Sequence, residues 1–172
     1  QPILKVLDSQ NNVLEDNTAP EGKRVLPEAV AYMISDVLAD NKARTPAFGP
    51  TSLLNIPGHI VAVKTGTTDN KRDNWTFGYT PEYVVGVWVG NNDNKPMDNI
   101  AGSLGAAPIW RLLMEHFLVG TRVEQFKVPS GLDSELVCRD KGLKAPEATS
   151  SAVTEYFLNG MAPQELCYQP SP

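Results

Sequence analysis

The chain has 172 residues, 41% of them apolar and 20% charged, which is the make-up of a globular protein with enough apolar material for one core. Its formal charge of -5, with no run of Lys or Arg longer than two residues, excludes an electrostatic footprint for nucleic acid or an anionic membrane surface. No apolar stretch approaches the roughly 20 residues of a transmembrane helix, and Gln1 to Asp8 lack a basic region followed by an apolar one, so any targeting segment is expected outside this sequence.

In chain order, Ile3–Val6 and Val13–Leu14 flank the polar turn Gln10-Asn11-Asn12 and predict a hairpin. From Pro27 to Asp40 the apolar residues Val30, Met33, Ile34, Val37 and Leu38 fall at i, i+3, i+4, i+7 and i+8, with Pro27 in the first turn, and predict an amphipathic helix. Residues 41–58 carry three prolines and two glycines and read as a loop. A strand then begins at Ile60, with Lys64 near its end. A second strand runs from about Asn74 to Tyr79, and a turn at Thr80-Pro81-Glu82 leads into a third from Tyr83 to Val89. Connections this short require an antiparallel meander. After a polar loop at Asn91 to Asn99 and a Gly/Ala stretch, a second helix is expected from about Ala107 to Leu118, with Ile109, Leu112, Leu113 and Phe117 on its apolar face. Residues 119–172 show little periodicity and read as an irregular extension, with at most short strands and one turn of helix near Thr154 to Leu158. The expected division is thus 1–118 and 119–172.

The two cysteines, Cys138 and Cys167, lie in that extension without the close spacing of a zinc or redox site. They are either reduced thiols or a disulfide, which would close a loop of about 30 residues and stabilise the tail by roughly 3 kcal/mol. His59 and His116 lie on separate elements with no Cys or acidic cluster beside them, so no metal is expected. Trp75, Phe77, Tyr79, Tyr83 and Trp88 read as core and sheet packing. The loop Asp69, Asn70, Lys71, Arg72 and Asp73 reads as solvated, with a modest part in substrate choice as its functional reading.

Lys64-Thr65-Gly66-Thr67-Thr68 admits three readings. A phosphate cradle needs Gly before the lysine and a helix after it, whereas Val63 precedes and strands follow. A solvated turn is the bland reading, for Lys-Ser/Thr-Gly is a degenerate tripeptide. An acyl-transfer site explains most. A lysine at the end of a buried strand is costly unless its charge has a partner, the threonine hydroxyls can bind a carboxylate, and Gly66 admits a substrate backbone. A peptide would pair along the strand edge, with the Thr67 amide aimed at a developing oxyanion.

KTGTT, then RDNWTFGYTPEYVVGVWVGNND, then AAPIWRLLMEHF resemble the C-terminal half of the transpeptidase domain of class A penicillin-binding proteins, the bifunctional peptidoglycan synthases. The similarity runs from about Ile3 to Leu118, and EYFLNGMAPQELC is similar to tails of some members. The resemblance implies an α/β chain of the α+β type: a partial serine β-lactamase/D,D-transpeptidase fold, its antiparallel sheet packed with helices on one face. Of the family's three motifs, Ser-x-x-Lys, Ser-x-Asn and Lys-Thr-Gly, the third is here. No serine has a lysine three residues later, and Ser9-Gln10-Asn11 matches the second motif only in letters, inside the expected hairpin turn.

By carry-over, Lys64 and Thr67 are the expected catalytic residues, and Thr65, Gly66, Thr67 and Thr68 the substrate-binding ones. The implied partners are the D-Ala-D-Ala stem peptide, β-lactams, and an upstream half of the same protein bearing the nucleophile, with no cofactor. The implied reaction is acylation of a serine by the penultimate D-alanine and transfer to an amine of a neighbouring strand; this chain alone is expected to be inactive. The implied location is outside the cytoplasmic membrane, anchored by a segment not in this sequence, a context that favours a Cys138–Cys167 bond. Two other readings stand: a non-catalytic module binding cell-wall peptide or a partner protein, told apart by whether Ser-x-x-Lys is encoded upstream, and a serine β-lactamase fragment, exposed by rapid β-lactam hydrolysis after reconstitution.

Overall fold

The structure, a computed structural model, describes residues 3–18, 22–98, 104–146 and 151–168. Residues 101–103 of the expected Gly/Ala stretch lie outside the described residues. The first hairpin pairs β1 (Lys5–Leu7) with β2 (Val13–Asp16). Asp8 closes its turn by accepting from the amides of Gln10 at 2.8 Å and Asn12 at 2.9 Å. Ser9-Gln10-Asn11 is therefore an exposed turn.

The helix α1 spans Glu28–Ala39, as its periodicity demands. The loop expected over 41–58 is corrected in its first half, where α2 spans Asn41–Phe48. Asp40 starts it by accepting from the amides of Lys42 and Ala43, and Gly49, at φ 78°, ends it. Pro46 sits inside this helix, so counting prolines concealed it.

The meander consists of β3 (Ala62–Thr67), β4 (Asp73–Tyr79) and β5 (Val84–Gly90), all antiparallel in the order β3-β4-β5. Lys64 is corrected from strand end to strand interior, because the β-branched threonines after it carry the ladder on to Thr67 opposite Asn74. Alternation gives the sheet two faces. One bears Val63, Thr65, Thr67, Asn74, Thr76, Val85 and Val87 and packs under α3 (Ala106–Leu118). Trp110 of α3 lies so close over Gly78 that a Cβ there would be 2.2 Å from its ring.

Both helices were expected on one face, and this too is corrected. Tyr79 points to the face opposite α3, where its hydroxyl meets the Ser35 hydroxyl of α1 at 2.9 Å. The apolar face foreseen for α3 is likewise reversed: Ala106, Ala107, Trp110, Met114 and Leu118 are buried, whereas Ile109, Leu112, Leu113 and Phe117 are exposed. Apolar residues lie on both sides of the polar Arg111, Glu115 and His116, so the sequence does not choose which apolar side meets the sheet.

The tail is more ordered than its composition suggested. β6 (Leu132–Cys138) and β7 (Ala152–Leu158) form a seven-residue antiparallel ladder, so the turn of helix foreseen near Thr154 to Leu158 is instead strand. Val153, Thr154, Tyr156 and Phe157 are strand-favouring residues whose partner lies some twenty residues away, out of reach of a local reading. The Sγ atoms of Cys138 and Cys167 are bonded at 1.98 Å, and with Ala145 they form a small separate core. Tyr32 and Tyr156 meet edge to face at 5.2 Å and dock the hairpin on α1.

Candidate functional site

β3 is an edge of its sheet among the described residues. The amide of Thr68 donates to the Asp73 carbonyl at 3.0 Å, which fixes the phase of the β3–β4 ladder. Since bonded pairs alternate in an antiparallel ladder, Gly66 and Lys64 turn their main-chain groups toward β4, and those of Thr65 and Thr67 point out of the open edge. That edge presents two N–H and two C=O groups aligned along the strand. Lys64 is exposed, and its Nζ donates to the carbonyl of Thr65, so the ammonium lies at that same rim.

The motif residues do not share a face. Lys64 and Gly66 belong to the face opposite α3, beside Trp75 and Phe77, whereas the side chains of Thr65 and Thr67 belong to the α3 face. They meet only at the edge. A Cβ on Gly66 would touch nothing nearer than the Trp75 Cβ at 3.8 Å, so packing within this chain does not require glycine there. The Thr68 hydroxyl donates to Asp73 Oδ2 at 2.9 Å and accepts from the Asp73 amide at 2.9 Å, which engages it in closing the loop. Asp73 Oδ1 in turn accepts from Trp88 Nε1 at 2.9 Å.

The aromatic residues expected in core and sheet packing do pack on the sheet, but Trp75, Phe77, Trp88 and Tyr83 are corrected as core. Trp75, Phe77 and Trp88 are exposed on the face that carries Lys64, with Trp75 stacked on Phe77 at 5.4 Å and tilted against Trp88 at 6.3 Å. Alternation alone put them together on one side; that the described residues leave this end of the face exposed, while α1 meets Tyr79 at the other end, is a tertiary fact. Tyr83 is also exposed and stacks on Phe117.

Sequence reasoning missed Asn74. This residue is fully buried; its Nδ2 donates to Thr67 Oγ1 at 3.1 Å and its Oδ1 accepts from the Ala106 amide at 2.7 Å. Its signal was a carboxamide at an inward-facing position of a strand. No group of three potential metal ligands assembles among the described residues, and no helix there is long and apolar enough to cross a membrane.

The family model described as "Penicillin-binding protein 1A, C-terminal domain" matches residues 128–171. Penicillin-binding protein 1A of Clostridium tetani is 34% identical over 97% of this chain and 22% of its own length. Penicillin-binding protein 2D of Bacillus subtilis is 29% identical over 99% of this chain and 25% of its own. The crystal structure of penicillin-binding protein 1A from Haemophilus influenzae superposes with a TM-score of 0.56 at 25% identity, covering 63% of this chain and 16% of that one. The chain therefore spans about a fifth to a quarter of the length of the curated relatives it matches.

Proposed function

From a chain that belongs to the penicillin-binding proteins of the 1A type, we propose that β3 is the substrate-docking strand of a serine D,D-transpeptidase, an enzyme that cross-links peptidoglycan stem peptides and is acylated by β-lactams. The observation that carries this is the open edge of β3, where the outward main-chain groups of Thr65 and Thr67 lie beside the Lys64 ammonium. A stem peptide ending in D-Ala-D-Ala adds to that edge as a further strand, held by main-chain hydrogen bonds. The Thr65 and Thr67 hydroxyls bind its terminal carboxylate, and the Thr67 amide donates to the oxyanion that forms during acylation. Lys64 supplies a fixed positive charge that favours the anionic forms of the reacting groups around it. Gly66, which internal packing leaves free to be larger, keeps the face clear where substrate backbone lies close.

The reacting serine comes from polypeptide preceding this chain in the parent protein, and the same polypeptide covers the exposed Trp75, Phe77 and Trp88. In this reading residues 1–118 complete the transpeptidase domain and 119–172 form an appendage outside the cytoplasmic membrane. The test is complementation: this chain mixed with the upstream segment of its parent and a fluorescent penicillin. Covalent label on the upstream segment is expected only when both pieces are present, and Lys64→Ala should abolish most of it. Undiminished labelling of the Lys64→Ala mixture would sink the role given to that lysine.

A further inference from the structure

We propose that Asn74 is a positioning residue that makes the Thr67 hydroxyl a hydrogen-bond donor toward the substrate carboxylate; this rests on the reading of β3 as the docking strand. The orientation of its carboxamide follows from chemistry. Ala106 is the first residue of α3, Gly105 before it offers no side-chain cap, and the Ala106 amide can only donate, so the atom 2.7 Å away is the oxygen. The carboxamide nitrogen must then face Thr67 Oγ1, at 3.1 Å. It can only donate. Thr67 Oγ1 therefore accepts from within the protein, and its own proton is free to be given to an acceptor along the open edge.

Burying an amide on an apolar sheet face is costly unless its groups are bonded, and a valine would fill the register position between Thr67 and Val89 with no such demand. Asn74 joins the start of α3 to the edge strand and fixes the hydrogen-bond polarity of one hydroxyl there. With Thr67 held as a donor, a carboxylate is matched and a donor group is rejected.

Asn74→Asp separates these functions. One carboxylate oxygen still caps α3, where the helix dipole favours negative charge. The other, when ionised, can only accept, so Thr67 must then turn its proton inward. In the full-length parent protein, Asn74→Asp should raise the penicillin concentration for half-maximal acylation rate by about 10- to 100-fold, the loss of one hydrogen bond to a charged group. The limiting rate should change little, while the melting temperature should fall, because a carboxylate replaces an amide at a fully buried position. Thr67→Ala should cause a similar rise, and adding Asn74→Asp to it should cause none, a non-additivity that general loosening of the sheet does not produce. Additive effects, or an unchanged concentration dependence in a labelled Asn74→Asp protein, overturn the assignment of Asn74 alone. Failure of the unsubstituted parent to be labelled overturns the docking-strand reading and this proposal with it.

Discussion

A methyl group on Gly78 would lie 2.2 Å from Trp110 Cζ2 and 2.7 Å from Cε2, inside a core where Trp110 is fully buried. The fully buried Trp110 shares its core cluster with Met114, Val63 and Val85, so the close-packed interior resists the shift a methyl would force. Gly78→Ala should therefore lower stability by about 1–3 kcal/mol through overpacking, read as a reduced urea midpoint with an unchanged slope. Gly86 plays the matching part on the other face, where the Phe77 ring would be 2.4 Å from an added Cβ. The need for small residues at these positions was invisible beforehand. A strand pattern says which residues share a face but not which aromatic ring will lie across a neighbour.

The packing of α1 on β7 couples to pH. Burial, reinforced by Asp40, holds the Asp36 carboxyl above its ordinary range. Burial, then Asp36 and Asp40, does the same to Glu155, against a smaller opposing pull from Arg139. A raised carboxyl favours the protonated folded form, so this contribution is fully present below the ordinary carboxylate range and is lost as pH rises through the raised values. Glu155→Gln should raise the melting temperature at about pH 7 more than at about pH 5 and so flatten the slope between them; both groups keep solvent contact, so the effect is small. The β1–β2 hairpin responds in the opposite sense. Asp8, held low by the Asn12 side chain and then by the amides of Asn12 and Gln10, loses its turn contacts as pH falls. The hairpin of the tail was hidden because its pairing joins segments separated by the loop that the Cys138–Cys167 bond, 29 residues apart in sequence, also spans.

The accessible surface is 12082 Å², nearly half as much again as the about 8,300 Å² of a folded monomer of this size. Much of the excess is apolar: Ile109, Leu112 and Phe117 on α3, Ile34 and Val37 on α1, and the aromatic cluster of β4 and β5. Relatives that are four to five times longer have the polypeptide to cover such faces. Acrylamide should quench Trp75 and Trp88, which are 38% and 40% exposed, but not Trp110, at 0%. Adding the upstream segment of the parent should protect both quenchable tryptophans; protection of neither would mean that the aromatic face does not receive that polypeptide.

What the sequence determined by itself was local and periodic. The 3.6-residue repeat gave the positions of α1 and α3 but not α2, the short turns gave the antiparallel meander, and the combination KTGTT with RDNWTFGYTPEYVVGVWVG gave the family. Tertiary structure decided which side of α3 meets the sheet, that α1 lies on the opposite face, that β7 pairs with β6, and that Asn74 links the edge strand β3 to a helix start. The physical reason is common to all four. Periodicity fixes the angle between side chains on one element, whereas the partner of a face is chosen by contacts between residues far apart in the chain, whose free energy no window of sequence contains.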